Sequence, residues 1–193
     1  IKKKIYHMKN APQELVKEVV RYRGKNQREV IVIKYEIIDN FLKKEDFDAL
    51  KKIIISQGFP VYYNPHVVSK EDTNLEDLNF AHILYDDYMG VKSQYFDIVY
   101  GVLIQYLKPT RIIRSKVNCY PRTSRSITHK FHTDYKFPHK GAILSLNTCN
   151  GSTKIKGQGK IKSIENRLLK FDPSEPHASV SCSDQKCRWN IIV

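Results

Sequence analysis

The alternation of apolar and polar residues divides the chain into two textures. In the first part the spacing is partly helical. Leu15, Val16, Val19 and Val20, with Pro12 near the start, predict a short amphipathic helix over Ala11–Arg23, closed by a turn at Arg23–Gln27. The β-branched run Glu29–Ile38 reads as a strand. Asp39-Asn40 offers a cap, and Phe47, Leu50, Ile53 and Ile54 put a helix over Lys44–Gln57 that stops at Gly58. Val61–Val68 and Phe80–Tyr85 are expected strands, separated by the polar Ser69–Asp77, a surface loop. Gln94–Leu107 repeats the helical period and ends before Pro109.

From Arg111 onward short apolar stretches alternate with turn residues. They are Ile112–Tyr120, Ile127–Tyr135, Ala142–Asn147, Ser152–Ile155, Lys160–Ile164, Arg167–Phe171, Ala178–Cys182 and Trp189–Val193. So many short strands in succession predict a β-sandwich or barrel, with the earlier helices buttressing one sheet. The expectation is one α+β, mainly β domain over 1–193. Residues 1–110 supply helices and flanking strands, and 111–193 supply the core with the active site.

Composition narrows the class. With 193 residues, 41% hydrophobic and 27% charged, the chain belongs with ordinary globular proteins. No apolar run approaches the ~20 residues of a membrane helix. Ile1-Lys2-Lys3-Lys4-Ile5-Tyr6 carries no apolar core of a secretory signal, so a cytoplasmic protein without membrane partners is expected. Cys119, Cys149, Cys182 and Cys187 form no C-x-x-C pair and read as reduced structural thiols. The net charge of +13 is uneven: residues 1–100 hold 16 Lys/Arg against 15 Asp/Glu, the remainder 17 against 5. Such asymmetry points to an anionic partner, whether nucleic acid, an acidic protein or a small dianion.

Of the seven histidines, only one is followed two residues later by a carboxylate, in His132-Thr133-Asp134. On a strand, residues i and i+2 share a face, so this imidazole and carboxylate can grip one ion. His177, 45 residues further on, has enough intervening chain to return beside them. Two His and one carboxylate leave open coordination positions suited to non-haem Fe(II). A lone H-x-D is weak, since satisfied polar pairs explain most of them. Arg188, eleven residues after His177 in the next expected strand, adds weight. A guanidinium facing a sandwich interior needs an anion, and few acidic residues exist in this half to pair it. Exposure at an edge, or pairing with Asp184, is the alternative. His129 and His139 read as surface or supporting residues.

These residues, from Ile112 to Val193, resemble the 2-oxoglutarate- and Fe(II)-dependent dioxygenases, in particular their prolyl 4-hydroxylase-like branch of compact phage and marine microbial type. The likeness includes Val117-Asn118-Cys119-Tyr120-Pro121, Leu144-Ser145-Leu146-Asn147-Thr148-Cys149-Asn150-Gly151 and Arg167-Leu168-Leu169-Lys170-Phe171-Asp172. Ile37-Ile38-Asp39-Asn40-Phe41-Leu42 is similar to the family's entry segment. The resemblance implies a double-stranded β-helix (jelly-roll, cupin-like). It implies His132, Asp134 and His177 as iron ligands, Arg188 on the distal carboxylate of 2-oxoglutarate, and Tyr120 and Asn190 hydrogen-bonding the co-substrate. Asn118 and Leu144 point inward by strand alternation and are expected to line the same pocket.

The implied reaction consumes O2 and 2-oxoglutarate, releases succinate and CO2, and hydroxylates a C–H bond, with ascorbate as an accompanying reductant. The favoured acceptor is a peptidyl proline or other protein side chain, in an acidic or proline-containing peptide, with Val67–Asn79 as a closing loop. Oxidative demethylation of nucleic acid is the rival. It usually requires a second Arg shortly after the first, where this chain has Trp189-Asn190-Ile191-Ile192-Val193. A non-catalytic β-sandwich binding module, or a cupin using another metal, are further alternatives.

Overall fold

The computed structural model describes residues 17–23, 27–33, 35–68 and 74–193. The first two segments are strands, β1 (Lys17–Arg23) and β2 (Gln27–Ile33), paired antiparallel with Val20 opposite Val30 and Arg21 opposite Glu29. The helix expected over Ala11–Arg23 is therefore corrected from Lys17 onward. Its valines are β-branched and lose rotamer freedom in a helix, and QREVIVI next in sequence offers every rung of a ladder. Residues 11–16, the turn residues 24–26 and loop residues 69–73 lie outside the described residues.

The remaining elements follow in order: β3 (Tyr35–Ile38), α1 (Lys44–Ile54), β4 (Tyr62–Asn64), β5 (Asn79–Asp86), β6 (Gly90–Val91), α2 (Phe96–Leu107), β7 (Arg114–Pro121), β8 (Gly141–Ser145), β9 (Ser152–Ile155), β10 (Gly159–Lys162), β11 (Arg167–Phe171), β12 (His177–Val180) and β13 (Cys187–Ile192). One antiparallel sheet runs β3-β11-β8-β13-β7-β5-β4, with β6 paired to β5. A smaller sheet runs β10-β9-β12. Strands from both halves of the chain share the large sheet.

Each face of that sheet has its own core. On the outer face α1 buries Phe47, Leu50 and Ile54, and α2 buries Phe96, Val99 and Leu103, against Leu84, Val117, Leu144 and Ile191. Glu45 and Asp46 at the start of α1 and Lys51 and Lys52 at its end suit the helix dipole. The expected buttress of helices is present. Between the sheets, Ile143, Ile155, Ile161, Leu169 and Phe171 form a second apolar cluster. No described helix is long and apolar enough to cross a membrane. All four cysteines are free thiols.

Three expected strands change form. Glu29–Ile38 divides between β2, paired with β1, and β3, at the edge of the large sheet. Val61–Val68 shrinks to β4, because Pro60 and Pro65 bracket it and neither can donate to a ladder. Ile127–Tyr135 is no strand; only the bridges Thr128↔Val180 and His132↔His177 hold it along β12. Ile127, Phe131 and Tyr135 would share one pleated face, but Phe131 is 43% exposed, so that face supplies no buried stripe.

Candidate active site

The bridge between His132 and His177 is reciprocal: each N–H donates to the other's carbonyl at 2.9 Å. It brings the rings to a 4.4 Å centroid separation. The Asp134 N–H donates to the Pro173 carbonyl at 2.9 Å, so the turn before β12 fixes the third residue. That turn approaches closely because Gly141 faces Pro173; a Cβ there would lie 2.2 Å from the proline Cγ. One donor atom from each of His132, Asp134 and His177 lies within 4.8 Å of the others, a spacing that can hold one metal ion. The grouping expected from the sequence thus forms, although on a bridged loop rather than a strand.

The chemistry of these donors suits a divalent ion. Nδ1 of His132 lies 3.4 Å from the Lys130 carbonyl, and Nδ1 of His177 lies 3.0 Å from that of Glu175. Donation from Nδ1–H fixes the tautomer in which Nε2 carries the free lone pair. Burial holds both imidazoles below their ordinary pKa of 6.5, and for His132 the neighbouring His177 adds to it. Burial alone would raise the Asp134 carboxyl, but Arg114 outweighs it and holds the group below the usual range. Nη2 of Arg114 lies 2.8 Å from Oδ2 of Asp134, while Oδ1 faces Nε2 of His132 at 3.8 Å. Two neutral imidazoles and an oriented carboxylate result.

Arg188 enters the same cavity from β13. It is 2% exposed, and Nη2 donates to Thr153 Oγ1 at 3.0 Å and Nη1 to the Val180 carbonyl at 3.4 Å. Its Nε has no partner, and among the described residues no carboxylate pairs with the guanidinium. Asp184, the alternative partner, instead accepts from the Asn150 N–H at 2.9 and 3.0 Å. Gly151 makes room for the arginine stem: a Cβ there would sit 2.7 Å from Arg188 Cδ. A fully buried cation with spare donors is costly unless an anion meets it.

Tyr120 lies beneath, its ring 5.4 Å from the guanidinium carbon and stacked on His129 at 5.7 Å. Burial raises its phenol pKa. Asn190 and Asn118 belong to a chain of amides crossing four strands. Asn64 donates to Asn79 at 3.0 Å, Asn79 to Asn118 at 3.4 Å, and Asn118 to Asn190 at 3.1 Å. Asn190 lines the cavity beside Arg188, with Asn118 behind it. Leu144 is corrected: it packs on the helix side, and Ile143 takes the cavity wall. The register of β8 decides this: Leu144 stands opposite Leu168 and Ile191 on the helix side, and Ile143 opposite Leu169 and Ile192 on the other face. Of the two readings of His129, surface or supporting, the second holds: it is 4% exposed, stacked on Tyr120, with Nδ1 2.8 Å from Ser179 Oγ. His139 stays at the margin, against Tyr135 and Phe137.

Arg114, Lys116, Thr153, Asn64, Asn79 and Gly151 were not expected here. For the first two a signal existed. Polar Arg114, Lys116, Asn118 and Tyr120 alternate with Ser115, Val117 and Cys119, so period two puts them on one face. A second donor group, Cys149, Cys182 and Asp184, also falls within 4.8 Å, but the Asn150 N–H occupies both Asp184 oxygens.

No protein-family model and no curated protein matches the sequence. Solved structures match its fold. A prolyl-4-hydroxylase from Pseudomonas putida superposes with a TM-score of 0.53 at 16% identity, covering 83% of this chain and 91% of its own. A Trichoplax adhaerens prolyl hydroxylase, in complex with a peptide fragment of the hypoxia inducible factor oxygen degradation domain, gives 0.52 at 13% identity, covering 82% and 81%. HygX from Streptomyces hygroscopicus, with nickel and 2-oxoglutarate bound, gives 0.51 at 8% identity, covering 83% and 81%. The chain therefore has the double-stranded β-helix fold of the 2-oxoglutarate/Fe(II) oxygenases, prolyl hydroxylases among them.

Proposed function

We propose that this protein is a 2-oxoglutarate- and Fe(II)-dependent oxygenase that hydroxylates a C–H bond of a peptidyl residue, proline first among them. The observation that carries the reading is Arg188. It is a buried guanidinium without a carboxylate partner, in one cavity with two imidazoles and a carboxylate whose donor atoms converge. A keto-diacid satisfies both ends of that cavity at once. One carboxylate takes the free donors of Arg188, and the keto-acid end reaches the metal position.

In this reading His132, Asp134 and His177 hold Fe(II), and the residues around them keep those three ready. The Lys130 and Glu175 carbonyls keep Nε2 of each imidazole unprotonated, and Arg114 keeps Asp134 ionised and turned inward. Arg188, steadied by Thr153, receives the distal carboxylate, and Asn190 and Tyr120 flank it. With metal and co-substrate bound, O2 supplies the oxidising power, giving succinate, CO2 and the hydroxylated product. Ascorbate would serve as reductant for metal oxidised off-cycle. The peptide acceptor is supported by the fold shared with prolyl hydroxylases, one of them solved with a peptide.

The test has two parts. Anaerobic addition of 2-oxoglutarate to the Fe(II)-loaded protein should give the visible charge-transfer band of the chelate. In air, proline-containing peptides should gain the mass of one oxygen atom as succinate forms. A protein that binds Fe(II) but gives no band and no succinate contradicts the assignment. Loss of a methyl group from an alkylated oligonucleotide would instead favour the demethylase.

A further inference from the structure

Lys116, a half-buried cation at the rim of this cavity, is left without a task by the proposed chemistry. It sits on the inner face of β7, between Arg114 and Asn118, with Ile83 and Ile192 beside it in the neighbouring strands. It belongs to two walls at once. One is the cavity of His132, Asp134, His177 and Arg188; the other is an open groove of about 810 Å³ outside it. Asn64 and Ala81 are the other residues common to both, so the groove leads directly to the converging donors.

The charges around Lys116 are unbalanced. The acidic group that acts on it, Asp134, is engaged by Arg114 at 2.8 Å, and Arg114 itself repels the lysine. No carboxylate pairs with Lys116 among the described residues. Burial, with Arg114 second, pulls its pKa down to about 8, so it is still largely protonated at neutral pH. The charged side chains lining the groove are Lys92, Arg114 and Lys116; none is acidic. Tyr62 and Tyr63, 65% and 61% exposed, form one wall. Both lie on β4, which among the described residues ends the large sheet with one ladder edge unpaired. An edge strand of that kind accepts an extended peptide.

Resting on the oxygenase reading above, we propose that Lys116 is the specificity residue for the acceptor: its ammonium receives the carboxylate of an Asp or Glu side chain next to the hydroxylated residue, in a peptide lying along the Tyr62–Asn64 edge. The deep anion position belongs to Arg188 and the co-substrate, so the two cations of the cavity divide two different carboxylates. The peptide is preferred to nucleic acid because three cations in a tyrosine-walled groove match one or two carboxylates, not a phosphate backbone that recruits many basic contacts.

The experiment uses fluorescein-labelled, proline-centred peptides with Asp or Glu flanks, and matched peptides with Asn or Gln in their place. Binding to the Mn(II)-loaded, 2-oxoglutarate-loaded protein is followed by polarisation. Wild type should bind the acidic set about thirtyfold or more tightly than the neutral set, as for a partly desolvated charge pair. Lys116→Met should bring that ratio close to unity, Lys116→Arg should keep most of it, and Lys116→Glu should invert it toward Lys-flanked peptides. Melting curves with and without 2-oxoglutarate show that each variant folds and still takes the co-substrate. Equal binding of both sets by wild type, or an undiminished preference in Lys116→Met, overturns the assignment. So does loss of the 2-oxoglutarate shift in Lys116→Met, which would make the lysine a co-substrate residue. Tighter capture of a labelled single-stranded oligonucleotide than of any peptide overturns the peptide. Failure of 2-oxoglutarate to shift wild type at all strikes the oxygenase reading instead, separately from the peptide ratio.

Discussion

Replacing Arg188 with Met separates two effects that usually coincide. Methionine keeps the unbranched stem that fills the space beside Gly151 while removing the guanidinium. Without ligand, wild type bears the cost of a desolvated cation with an unpaired Nε. Arg188→Met removes that cost and forfeits two hydrogen bonds, to Thr153 and Val180, worth about 1 kcal/mol each. The two terms oppose, so the melting temperature of the apo-protein should stay within a few degrees of wild type. Ligand binding behaves differently. Losing one partner of a buried, hydrogen-bonded charge pair costs about 2–5 kcal/mol, which weakens 2-oxoglutarate roughly thirtyfold to several-thousandfold. Wild type at a hundred times its Kd gains about 2.7 kcal/mol, a rise of about 5–10 °C for a chain of this size. Differential scanning fluorimetry with Mn(II), with and without 2-oxoglutarate, reads both quantities. A variant that melts far below wild type and still shifts fully with ligand would show Arg188 to be a structural residue and refute the reasoning.

Three other outcomes follow from the same geometry. Gly151→Ala drives a Cβ to 2.7 Å from Arg188 Cδ and 3.0 Å from the Val180 carbonyl, so it should weaken 2-oxoglutarate while Mn(II) affinity holds, with about 1–3 kcal/mol of destabilisation from overpacking. Arg114→Met frees Asp134 Oδ2 and should lower metal affinity by about 10–100-fold, measured by Mn(II) titration. Protonation of either imidazole expels the metal; because burial lowers both pKa values, Mn(II) affinity should persist at pH 6.5, where an ordinary histidine is half protonated, and fall below it. An affinity already halved at neutral pH would contradict that environment.

Much of the site was legible because its chemistry is written in unusual residue types. A carboxylate two places after a histidine, a later histidine and an arginine in an acid-poor half are rare enough to notice, and the fold brings them together. Geometry that depends on parity was harder. Leu144 and Ile143 are adjacent and equally apolar, and only the register of β8 against β11 and β13 decides which one meets the cavity. The apolar stretch Ile127–Tyr135 predicts a strand around His132, whereas isolated bridges to β12 are what hold that segment. The amide chain from Asn64 to Asn190 joins residues from four strands, and nothing in the linear order announces which asparagines will meet. In Lys17–Arg23 local spacing favoured a helix, but a complementary strand a few residues away prevailed.

The mutual backbone rung between His132 and His177 has a consequence for how the molecule matures. Two of the three metal donors become neighbours only when the segment before Tyr135 has zipped onto β12. A chain in which that segment had not yet paired would offer only His132 with Asp134, two donors instead of three. On the oxygenase reading, the full set of three ligands would therefore be complete only after this rung has formed, so metal capture would follow folding rather than guide it.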